Sequence, residues 1–69
     1  MTTPADEAID RAEELLEQLN ARRDDLERLA EAEEIDADAA VEVIADLAEL
    51  AKRIEAELTQ ARTLADAAP

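Results

Sequence analysis

Apolar residues recur at alternating spacings of three and four along two long stretches of this chain. The first stripe runs Ala5, Ala8, Ala12, Leu15, Leu19, Arg22, Leu26, Leu29, with one arginine interrupting it. The second runs Ala37, Ala40, Ile44, Leu47, Ala51, Ile54, Leu58, Ala61, Ala65, Ala68. These are the a and d positions of a heptad, and Ile9, Leu16, Val41, Val43, Leu50 and Leu64 widen the stripe at flanking positions. The pattern predicts two α-helices built to pack against other helices. Leu15, Leu19, Leu26, Leu29, Ile44, Leu47, Ile54 and Leu58 are the expected helix-packing interface.

Start signals place the ends. Thr3 can accept from a free backbone N–H, Pro4 suits the first helical position, and Asp6 and Glu7 suit the positive end of the helix dipole. Strong helix formers then follow to about Ala32. Asp36 is a second candidate N-cap, followed by Asp38 and Glu42, and this helix is expected to reach about Asp66 before Ala67-Ala68-Pro69 frays. The expected organisation is one helical hairpin over 1–69: helix about 4–32, turn about 33–36, helix about 37–66.

No glycine or proline punctuates the break, and the heptad frame moves by four residues, from Glu33 to Ala37. Such a shift suits either a turn or a stutter in one continuous helix. Asp36 and Asp38, poor inside helices and good at their starts, favour the turn. A hairpin folded near Glu34 sets residue i opposite about 69 − i. That brings Arg11 near Glu57, Lys52 near Glu17, Arg23 near Asp46, Arg28 near Glu42 and Arg62 near Glu7. The expected fold is therefore all-α, a coiled-coil-like two-helix antiparallel hairpin. Arg22 either lays its stem along the seam with its head toward water or Asp46, or is a polar residue that sets register or oligomer state.

Size points to company. Sixty-nine residues, 17 of them alanine, bury little apolar area, and chains this short usually need a disulfide, a metal or a partner to fold stably. With no Cys and no His, disulfides and soft-metal sites are excluded, so oligomerisation into a helical bundle or docking on a larger protein remains. The net charge is −13, from 20 acidic residues against seven basic, which opposes direct binding to a phosphate backbone. A solvated helical surface explains the acidity. With Lys52 as the lone lysine, a high-salt cytoplasm explains it as well. No stretch reaches the roughly 18 apolar residues of a membrane span, and the first residues lack the basic start and apolar run of a signal peptide. Cytoplasmic location and no membrane partner are the expectations.

Chemistry-bearing groups are missing. There is no Ser, Cys, His or Tyr, and the hydroxyls of Thr2, Thr3, Thr59 and Thr63 have only carboxylates near them. Glu13-Glu14, Asp24-Asp25 and Glu33-Glu34 are sequence neighbours, so on a helix they point about 100° apart. The Glu-x-x-His pattern of a di-metal bundle, the glycine of a calcium loop and a phosphate-cradling loop are all absent. Neither a catalytic residue nor a metal or cofactor ligand is expected on this chain. The Arg22-Arg23 and Lys52-Arg53 doublets are flanked by acids and read as salt-bridging surface residues.

Two segments resemble the small subunit of bacterial-type exodeoxyribonuclease VII. Asp6-Glu7-Ala8-Ile9-Asp10-Arg11-Ala12-Glu13-Glu14-Leu15-Leu16-Glu17-Gln18-Leu19 follows the order of apolar and acidic positions in that family's opening helix. Ile35-Asp36-Ala37-Asp38-Ala39-Ala40 resembles its turn, and Leu50 to Arg62 resembles a later helical segment. The matches cover about two thirds of the chain. Ala5 stands where the family has an aromatic residue, Ile54 where it often has Cys, and the family's glycines near the turn are missing. The resemblance implies a non-catalytic hairpin, several copies of which pack along a helical region of a large subunit that degrades single-stranded DNA.

Three functions fit these observations. The first is a helical accessory subunit of an enzyme complex. A self-associating four-helix bundle is the second. The third is an acidic binder of a basic protein surface.

Overall fold

The computed structural model describes residues 2–67. Two helices fill it, α1 (Pro4–Glu31) and α2 (Ala37–Ala67), lying antiparallel along each other with no strand among the described residues. Ala68, the last position of the second apolar stripe, and Pro69 lie outside the described residues.

α1 begins with a reciprocal cap. Thr3 Oγ1 accepts from the Asp6 N–H at 3.1 Å, and the Asp6 carboxylate accepts from the Thr3 N–H at 3.3 Å. Two backbone donors that would otherwise lack partners are satisfied, and Pro4 needs none. Thr3→Ala is expected to cost about 0.5–2 kcal/mol, read as a lowered urea midpoint for loss of helical ellipticity. No change in the midpoint would mean that the first turn contributes nothing to the folded state.

The chain reverses without a left-handed residue. Ala32 leaves the helix in an extended conformation (φ −67°, ψ 146°) while its N–H donates to the Leu29 carbonyl at 3.4 Å. Asp36 then starts α2: its carboxylate accepts from the Ala39 N–H at 3.1 Å and its carbonyl from the Ala40 N–H at 3.0 Å. No described residue takes a positive φ, so this connection has no position that demands glycine. That is why the break lacks the usual punctuation in the sequence.

The result is a thin rod, 57 × 18 × 10 Å. Its radius of gyration is 15.9 Å, whereas a compact chain of this length would have about 11 Å. Among the described residues only Ala8, Ala12, Val43, Leu50 and Ala61 are buried, and no large side chain is fully enclosed. The two helices touch along one seam and share no wider core.

Candidate interaction surfaces

On α1 the seam follows the sequence stripe: Ala8 and Ala12 are buried and Leu15, Leu19, Leu26 and Leu29 are half-buried. On α2 the seam is rotated from the stripe. Leu47 and Ile54 remain half-buried, but Ile44 and Leu58 stand outside at 52% and 50% exposure. Val43 and Leu50 take the buried places, with Ala40, Ala61 and Leu64 completing the apolar part of the row. Ile44 and Leu58 are thus not packing residues within the hairpin. The cause is the width of the apolar stripe on α2, which holds two overlapping heptad frames. Cross-helix ion pairing accompanies the frame that α2 adopts.

Those ion pairs line one edge of the seam. Arg11 Nε lies 2.9 Å from Glu57 Oε2, and Arg22 reaches both Asp25 at 2.9 Å and Asp46 at 4.0 Å. Both cross-helix pairs join residues whose numbers add to 68, one short of the expected register. Glu57 itself sits at a seam position, half-buried, a placement that the apolar pattern gave no reason to expect. The Arg22 side chain leaves the seam with its guanidinium toward this edge, 44% exposed. Arg23 pairs with Asp24 and Glu27, Arg28 with Asp25, and Arg62 with Asp66, so each finds an acid on its own helix rather than the expected one across the seam. A neighbour one turn away needs less ordering of two long side chains than a partner on the other helix. Among the described residues Lys52 forms no such pair with Glu17. Two open grooves follow the same edge, sharing Gln18 and Arg53.

The opposite edge is apolar but for Arg23. Arg11 and Gln18 precede the seam residues Ala12 and Leu19, while Ile9 and Leu16 follow Ala8 and Leu15, on the other side of α1. On α2, Asp46 and Arg53 precede Leu47 and Ile54, while Ile44, Ala51 and Leu58 follow Val43, Leu50 and Glu57. Since the grooves join the preceding residues of both helices, the following residues meet on the reverse side. Ile9, Leu16, Ile44, Ala51, Leu58 and Ala65 therefore form one exposed strip along the rod. Val41, at 64% exposure, extends it near the turn.

Among the described residues, no group of three His, Cys, Asp or Glu could hold a metal ion, and no helix is long and apolar enough to cross a membrane. Each arginine pairs with a carboxylate at the surface, and among the described residues these groups converge on no enclosed cleft. What the arrangement offers is surface for packing: one edge ion-paired and grooved, the other apolar. Comparison with protein-family models, curated proteins and solved structures gives no match.

Proposed function

We propose that this chain is a non-catalytic accessory subunit that acts through helix–helix packing. The observation carrying this reading is the exposed apolar strip of Ile9, Leu16, Ile44 and Leu58 on a hairpin with five buried residues among those described. Contiguous apolar surface on a chain with so little core marks a contact to be made with another chain. The resemblance of Asp6–Leu19 and Leu50–Arg62 to the small subunit of exodeoxyribonuclease VII names a candidate complex. In it, a large partner would bind and degrade single-stranded DNA while this hairpin braces that partner's helices. The acidic surface fits the division of labour, because the DNA would be held by the partner and not by a chain of net charge −13.

The test is affinity capture of the tagged chain from its native cells at their own ionic strength, read by mass spectrometry. Recovery of a large nuclease subunit in a constant ratio is the expected result. Recovery of the tagged chain with nothing but untagged copies of itself would overturn the accessory role.

A further inference from the structure

We infer that the apolar strip is covered by a second copy of this chain, giving a two-fold four-helix bundle. This inference rests on the packing role proposed above and names the chain that meets the Ile9–Leu58 edge.

Area comes first. A globular chain of 7.5 kDa is expected to expose about 4,200 Å², yet this one exposes 5397 Å². The excess is roughly 1,200 Å², and a stable interface removes about 800 Å² from each partner. One more hairpin laid on one side of the rod accounts for the excess without a larger protein. Two hairpins side by side also make a bundle of four helices, which has an interior where a single hairpin has only a seam.

Charge permits this occupant. The strip itself carries one charged side chain, Arg23, whose guanidinium is turned to Asp24 and Glu27 of its own helix. Its margins, one turn further out, carry the four acids Asp6, Glu13, Glu27 and Glu55 and the one base Arg62. Together with Arg23 they sum to −2 of the chain's −13. At a net −2 the face holds a small share of the chain's acidity, so two copies of it can meet with modest repulsion. The remaining acids stay on the outer surfaces of such a pair, where water and salt screen them.

The experiment uses the purified full chain. Sedimentation equilibrium is expected to give a dimer, and Ile44→Lys with Leu58→Lys is expected to weaken association at least about a hundredfold, since both side chains would be charged inside a dry contact. Because that variant could lose its fold along with its partner, a second measurement leaves the strip's large residues intact. Nitroxide labels on Ala51→Cys, in the strip, should lie closer to each other across the dimer than labels on Gln18→Cys, on the ion-paired edge. A chain that is a folded monomer at every concentration would overturn the inference. So would a dimer whose Gln18→Cys labels are the closer pair, or a monomer that becomes ordered only on adding a different protein. Monomeric behaviour alone would leave the accessory role standing, and a capture experiment that finds no larger partner would leave the dimer standing.

Discussion

Leu50→Ala is expected to destabilise the hairpin by about 2–4 kcal/mol, the largest effect of any single truncation in this chain. Leu50 is the largest of the five buried residues, lying in the middle of α2 where it faces α1. Removing its three outer carbons takes away transfer energy and leaves a gap that two stiff rods cannot close. In a urea titration followed by helical ellipticity, a small protein loses about 1 kcal/mol or more per molar urea, so the midpoint should fall by about 2 M. Ile35→Ala is the matching control. Ile35 is in the connection and 65% exposed, and its truncation should change stability by no more than about 0.5 kcal/mol. A cost below about 1 kcal/mol for Leu50→Ala would put the seam in the alternative frame, with Ile44 and Leu58 inside.

Ala8→Leu is expected to destabilise by about 1–3 kcal/mol, although it adds apolar surface and keeps helix propensity. Ala8 has no exposed surface, and Ala12 and Ala61 are buried with it. At this end the helices approach across alanines, and a leucine must push them apart or take a strained rotamer. Ala30→Leu, at an exposed position near the end of the same helix, makes the comparison: it should be neutral within about 0.5 kcal/mol. Thermal unfolding of the two variants separates the cases. If Ala8→Leu raises the midpoint, the alanine end of the seam holds unfilled space and the close approach there is not real.

Much of this architecture was legible in residue order. The 3-4 spacing predicted two amphipathic helices because side chains three and four apart share a helix face. The Thr3 and Asp36 starts were readable because their short side chains can reach the free N–H groups of the next turn, as both do. Asp36 and Asp38 also favoured a turn over a continuous helix where glycine was absent. The α1 stripe could be assigned its seam because Ala8, Ala12, Leu15, Leu19, Leu26 and Leu29 keep a single 3-4 frame, which Ile9 and Leu16 widen on one side only.

What the order of residues left open is which half of a wide stripe turns inward. On α2, Ala40, Leu47, Ile54 and Ala61 serve both frames. The alternative partners, Val43, Leu50 and Leu64 or Ile44, Ala51 and Leu58, differ little in apolar area, so local hydrophobicity cannot choose between them. The frame adopted is the one in which Glu57 meets Arg11 and Asp46 meets Arg22 across the seam. A helix's periodicity is a property of its own backbone and can be read from one chain segment. Its rotation about its axis is a property of the pair, and only the packed hairpin turns Ile44 and Leu58 outward.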